Sequence, residues 1–242
     1  MADKNDTVWV VTGANRGIGL EFIVQILAMP DTSVVAGVRT PEKAIDLQKL
    51  ADKHGDRLHI VKLDLANIET ITRSNRYQAD SAKQAAVEVI EKLQKNGVDF
   101  LVNNAGVLGS FSHIRDQDIE DMKAVLLTNV VGTFAVTKAF LPLLKQGRMK
   151  TILNISSDAG CLTQNASFLH DDSQSDAAMA LSYRTSKVAL NMETTVFAND
   201  LKNDGFKVVS IHPGFVITDM GSDASQRMSK VLPLHVYSSC FF

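Results

Sequence analysis

Tyr183 and Lys187 stand four residues apart in the stretch Ser182-Tyr-Arg-Thr-Ser-Lys187, and on a helix both side chains project from one face. A free phenol titrates near pH ~10, and a cation beside it favours the phenolate, so the pair predicts a phenol pulled toward working pH. A phenol tuned in this way exchanges a proton with a carbonyl/alcohol pair. The spacing alone is weak evidence, since a chain with 3 tyrosines and many lysines produces it by chance. The surrounding residues have to decide.

Three further positions bear on the same chemistry. Ser157 follows the apolar run Thr151 to Ile155, where its hydroxyl can hold a carbonyl oxygen or simply cap a strand end. Asn129 interrupts the apolar stretch Val125-Leu-Leu-Thr-Asn-Val-Val, and an amide there needs a hydrogen-bond partner, a structural water being the simplest. His212-Pro-Gly214 turns the chain after a last strand, followed by Thr218. The histidines show no metal-ligand spacing, so no metal is expected.

A nucleotide site is written at the other end of the chain. Thr12-Gly13-Ala-Asn-Arg-Gly17-Ile-Gly19 joins a strand to a helix, and glycines there let backbone N–H groups approach a pyrophosphate at the positive helix end. The next strand ends Ala36-Gly-Val-Arg39, without the acid that would accept from a ribose 2′-hydroxyl. Arg39 and Arg16 instead suit a 2′-phosphate, so the expected cofactor is NADP(H). Asp64 ends a third strand and serves either the adenine amino group or a turn cap. Asn103-Asn-Ala-Gly106 ends a fourth, at the carboxyl edge where such sheets bind ligands.

The elements that must position these residues alternate in type. Thr7 to Thr12, Val34 to Val38, Leu58 to Leu63, Phe100 to Val102, Thr151 to Ile155 and Val208 to Ile211 read as strands. Ile18 to Ala28, Glu42 to Lys53, Ser81 to Lys95, Ile119 to Lys145 and Ser182 to Lys202 read as helices. Strands that are continuous apolar runs are covered on both faces, so the expectation is one doubly wound α/β domain, Rossmann-type, over residues 1–242, with a parallel sheet. Asn67 to Asp80 and Asp158 to Ala180 lack periodicity and read as long loops.

Composition bounds the partners. A chain of 242 residues that is 45% hydrophobic buries a large core, and a formal charge of −2 gives no footprint for nucleic acid or an anionic membrane. The uncharged run Ala124 to Thr137 is too short to span a bilayer. Cys161 and Cys240 are too few for a disulfide framework, and the polar N-terminus carries no signal peptide, so a cytoplasmic location is expected.

In their order along the chain, Thr12-Gly-x-x-x-Gly-x-Gly19, Asn103-Asn-Ala-Gly106, Asn129, Ser157, Tyr183-x-x-x-Lys187 and Pro213-Gly214 resemble the short-chain dehydrogenase/reductase family. Tyr183 to Asn191 and His212 to Met220 resemble its C-factor and sniffer-type carbonyl reductase branch. Trp9 to Gly19 and Val35 to Arg39 are similar to fungal ketoreductases of the norsolorinic acid type. The resemblance implies Tyr183 as acid/base, Lys187 lowering its pKa, Ser157 orienting a carbonyl and Asn129 holding a relay water. It implies cofactor contacts from Gly13, Asn15, Arg16, Gly17, Ile18, Gly19, Arg39, Asp64 and Leu65. Asn103, Ala105, Gly106, Asn129, Tyr183, Lys187, Pro213, Gly214, Val216 and Thr218 complete that set.

The expected activity is NADPH-dependent reduction of a ketone or aldehyde, a small molecule, to an alcohol. The alternative is a non-catalytic NADP(H)-binding sensor of the same fold. The sequence departs from the family pattern in three places. The excess between Asp64 and Asn103 falls in 67–80, and the stretch between Ser157 and Tyr183 is long, as in monomeric carbonyl reductases where an insertion covers a dimer-forming helix. A monomer and a homodimer are both compatible with that. The chain after Thr218 reads as shortened, and a retained intron or misread gene end would account for 67–80 and 221–242.

Overall fold

The computed structural model describes residues 6–67, 85–86, 88–89, 97–167, 180–214, 216, 218 and 220. Six parallel strands form one sheet in the order β3-β2-β1-β4-β5-β6. They are β1 (Thr7–Thr12), β2 (Thr32–Val38), β3 (Leu58–Lys62), β4 (Phe100–Asn103), β5 (Thr151–Ile155) and β6 (Lys207–Ile211). The order reverses between β1 and β4, and at such a switch point the loops leaving neighbouring strands part to open a crevice at the carboxyl edge. Parallel pairing needs crossovers, which the helices supply: α1 (Gly17–Ala28), α2 (Ile45–His54), α3 (Ile119–Gln146), α4 (Leu162–Ser167) and α5 (Leu181–Leu201).

Strand alternation sorts the core into two layers. Val11, Val34 and Ala36 pack with Ile23, Ile26, Leu27 and Leu47 from α1 and α2. Val10 and Val35 face the other way, against Val136, Phe140 and Leu144 of α3 and Leu201 at the end of α5. By length and composition α3 is apolar enough to cross a bilayer, but Val136, Phe140, Leu143 and Leu144 are buried in this second core layer.

The differences from the sequence reading have local causes. The α2 helix starts at Ile45 rather than Glu42, because Pro41–Lys43 forms a separate 3₁₀ turn and Ala44 leaves helical geometry at φ −88°, ψ 62°. Within the stretch expected to be a loop, Asp158–Gly160 is a 3₁₀ turn and Leu162–Ser167 a short helix. The middle of α3, Leu127–Gly132, widens into a π-helical turn that carries Asn129. Of the expected helix Ser81 to Lys95, Ala85, Ala86, Glu88 and Val89 are described and helical. The stretch 68–80 and the tail 221–242 lie outside the described residues.

One carboxyl oxygen on α5 has no hydrogen-bond partner among the described residues. Glu193 Oε2 is buried without a hydrogen bond, and desolvation raises the carboxyl to about 7. A raised carboxyl binds its proton more tightly in the folded chain, so its stabilising contribution is full below pH 4.5 and is lost as pH rises through about 7. Glu193→Gln stays neutral throughout. Its Tm should therefore change less across that window than the parent's and exceed the parent's at pH 8, as read by calorimetry; parallel curves would refute the assignment.

Candidate active site

The glycine turn is seated by the loop that follows β4. Thr12 Oγ1 accepts from the backbone N–H of Asn104 and of Ala105, each at 3.0 Å. The Asn104 amide donates to the carbonyls of Thr12 at 2.9 Å and Gly13 at 3.2 Å. A Cβ on Gly13 would lie 2.8 Å from Ala105 Cα, and one on Gly19 would lie 2.3 Å from the Gly13 carbonyl oxygen. Gly13 and Gly17 also take φ of +65° and +55°, which side chains resist. Arg16 stands at the N-cap of α1 without a side-chain cap bond, and no acid occupies the first turn. Backbone and helix dipole together present a positive, unencumbered surface there.

From this turn a cavity of about 490 Å³ runs along the carboxyl edge. At one end it is bounded by Arg39, Thr40 and Lys43, and beside them by Asp64, Leu65 and Ala66. Asp64 Oδ1 also accepts from Ala66 N–H at 3.1 Å, so it caps its own turn while facing the cavity. Ala105, Gly106, Val107 and Thr128 line the middle, and Tyr183 and Lys187 close the far end.

Lys187 is buried, and its Nζ donates to the Ile155 carbonyl at 2.8 Å, 5.4 Å from the Tyr183 ring centre. Desolvation lowers the ammonium to about 8. The Tyr183 phenol shifts the other way. Burial raises its pKa most, a hydrogen bond from Ser157 works against that, and the Asp158 charge raises it further. The phenol expected to be lowered by its lysine is instead raised, because burial dominates and the group that works against it is Ser157.

Ser157 stands beside Tyr183, accepting from Ala159 N–H at 3.2 Å and donating to Asp158 Oδ1 at 3.1 Å. Asn129 is buried on the π turn. Its Oδ1 accepts from Val107 N–H at 2.8 Å, while its Nδ2 donates to the Val107 carbonyl at 2.8 Å and to Ser186 Oγ at 3.0 Å. Both amide donors are committed, so the side chain anchors the loop after β4 and offers no donor to a relay water.

Gly13, Asn15, Arg16, Gly17, Ile18, Gly19, Arg39, Asp64, Leu65, Ala105, Gly106, Pro213, Thr218, Tyr183 and Lys187 thus share one cavity. Asn103, expected at the cofactor, turns into the core, where its amide donates to Thr137 Oγ1 at 3.0 Å and Asn154 Oδ1 at 2.8 Å. Val216 lines an adjoining groove with Ile18, Phe22 and Pro213, and Gly214 forms a turn at φ +77°. The sequence reading missed Asn104, Lys43 and Asp158. Lys43 follows Arg39 by one 3₁₀ turn and Asp158 follows Ser157 directly, and either adjacency was a usable signal.

The sequence model described as short chain dehydrogenase matches residues 7–229. An uncharacterized oxidoreductase of Schizosaccharomyces pombe is 34% identical over 226 residues, spanning 93% of this chain and 80% of its own length. The NADPH-bound carbonyl reductase from chicken fatty liver superposes with a TM-score of 0.76 at 36% identity, over 91% of this chain and 80% of that one. The carbonyl reductase Sniffer of Drosophila melanogaster gives 0.75 at 28% identity, over 93% and 92% of the two chains.

The Asp158 charge is a contribution to the phenol that a mild substitution removes. Since it raises the Tyr183 pKa, Asp158→Asn should move the phenol titration to lower pH. An ultraviolet titration with Tyr183→Phe as the blank reads this directly, and a midpoint that stays or rises would contradict it.

Proposed function

The chain belongs to the short-chain dehydrogenase family, and from that membership we propose that it is an NADPH-dependent carbonyl reductase, converting a ketone or aldehyde to an alcohol. One observation carries the reading. A single cavity joins the cations Arg39 and Lys43 at one end to Tyr183 and Lys187 at the other. The carbonyl reductase character of the structural relatives supports it.

The residues present fit a dinucleotide. A Cβ at Gly13 or Gly19 would fill the cradle, so these positions keep backbone surface open for a pyrophosphate beside the α1 N-terminus. Arg39 would hold a 2′-phosphate by paired N–H donors, with Arg16 and Lys43 adding positive charge, and Asp64 with Leu65 would border the adenine. Such a cofactor would supply the hydride.

The chain's own groups manage the proton. With its hydroxyl turned from Asp158 to the substrate, Ser157 would hold the carbonyl oxygen together with the Tyr183 hydroxyl. As that oxygen gains charge, the Tyr183 phenol donates to it, and the raised phenol pKa keeps this donor loaded at neutral pH. Lys187, charged below about pH 8, stands one helical turn away to stabilise the phenolate left behind.

Two substitutions separate chemistry from binding. Tyr183→Phe should lower kcat for carbonyl reduction by at least about a hundredfold, the scale of lost general acid catalysis, with NADPH affinity within about threefold of the parent. Undiminished turnover would sink the assignment. Arg39→Ala should weaken NADPH binding by about 10- to 100-fold, the worth of a charge-assisted hydrogen bond, and leave NADH binding nearly unchanged. Equal losses for both cofactors in a fluorescence titration would contradict the 2′-phosphate role.

A further inference from the structure

Ser157 heads the turn Asp158–Gly160, which is not part of the helix bearing Tyr183 and Lys187. Bonds inside the turn seat the serine only relative to its own neighbours. Two side chains of α5 reach the turn: Arg184 indirectly, by bonding Asn165, whose amide donates to the Ala159 carbonyl at 3.0 Å, and directly Asn191, one helical turn past Lys187. Its Oδ1 accepts from the Ser156 hydroxyl at 2.6 Å, and its Nδ2 donates to the Gly160 carbonyl at 3.3 Å. These two bonds bracket Ser157, one on the residue before it and one at the end of its turn. Gly160 is buried, and a Cβ there would lie 2.7 Å from the Lys187 carbonyl carbon and 2.9 Å from Lys187 Cβ. The turn therefore lies flush on the helix, with Asn191 setting its register.

We propose that Asn191 is a positioning residue that clamps the Ser156–Gly160 segment to α5 and so sets the approach of Ser157 to Tyr183. The role needs one acceptor and one donor on a single neutral side chain. An aspartate would accept from Ser156 but face the Gly160 carbonyl with a second acceptor. An alanine would release both contacts and leave the buried Ser156 hydroxyl without its acceptor. The consequence for carbonyl binding rests on the function proposed above, whereas the clamp itself does not.

The first test therefore uses no substrate. The Tyr183 phenol is titrated in the ultraviolet for the parent, Asn191→Ala, Ser157→Ala and the double variant, each against its Tyr183→Phe counterpart. The Ser157 hydrogen bond favours the phenolate, so losing it raises the midpoint. Asn191→Ala should raise the midpoint in the same direction as Ser157→Ala and add nothing in the double variant. An unchanged midpoint overturns the clamp.

The second test reads kcat/KM on a panel of ketones and aldehydes with NADPH. Asn191→Ala should cost roughly tenfold in the presence of Ser157 and less than about twofold in the Ser157→Ala background, because coupled residues are non-additive. Equal losses in both backgrounds mean a merely structural role and overturn the proposal. Should Asn191→Ala fail to fold, Ser156→Ala removes half of the clamp by deleting one oxygen and enters the same two comparisons. If the parent reduces no carbonyl, the proposed function fails and the phenol titration alone decides the clamp.

Discussion

The buried ammonium of Lys187 constrains the rest of the site. A charge removed from water needs a partner, and Nζ finds one in the Ile155 carbonyl at 2.8 Å, at the end of β5. Only one rotation of α5 about its axis allows that bond. Once it is made, the residues on the same face are placed: Tyr183 one turn before and Asn191 one turn after. Further along, Thr194 accepts from the Asn154 amide at 2.8 Å, and Ser186 meets Asn129 on α3. This explains why the inner face of α5 buries Ser182, Ser186, Lys187 and Thr194, where α1 buries Ile23, Ile26 and Leu27. Both sheet faces carry an apolar layer, and on the α5 side a hydrogen-bonded strip of these polar residues lies beside Leu190 and Leu201.

That strip sets the electrostatics. Desolvation pushes both members of the pair toward their neutral forms, the phenol up and the ammonium down to about 8. The two shifts are not symmetrical in consequence. At neutral pH the phenol keeps its proton and the lysine keeps its charge, so the resting pair is a loaded donor beside a cation. This resting state is the one that carbonyl reduction consumes. Alcohol oxidation would begin instead from the phenolate, which the Ser157 hydrogen bond favours and the Asp158 charge opposes.

Much of this was legible in the sequence, and the failures share a cause. Apolar runs, glycine spacing and the Tyr183/Lys187 interval report what is adjacent along the chain, and the sheet, the cradle and the shared helix face follow from them. Burial is not adjacent information. The interval between Tyr183 and Lys187 announces that a cation is near but not that both groups leave water, and burial is what sets the sign of the phenol shift. Strand parity directs the Asn103 side chain away from the cavity. It shares the face of Leu101, toward Thr137 and Asn154, while Asn104 is the residue that reaches the glycine turn. Two consecutive asparagines give no means of telling which points where. The π turn that aims Asn129 leaves no mark in an otherwise apolar helix.

Three amides do the joining at the carboxyl edge, and their chemistry explains the choice. Asn104 binds the glycine turn to the loop after β4, Asn129 binds that loop to α3 and α5, and Asn191 binds the turn after β5 to α5. The Asn104 amide donates to two carbonyls, whereas Asn129 and Asn191 each bridge groups of opposite hydrogen-bonding sense and so need a donor and an acceptor on one short side chain. A hydroxyl reaches less far. A carboxylate or ammonium would satisfy one side only, and it would place a new charge near a phenol and a lysine whose proton affinities are set by their surroundings. Neutral bridging lets the scaffold fix geometry without altering the proton chemistry it holds in place, so position and pKa remain separately adjustable.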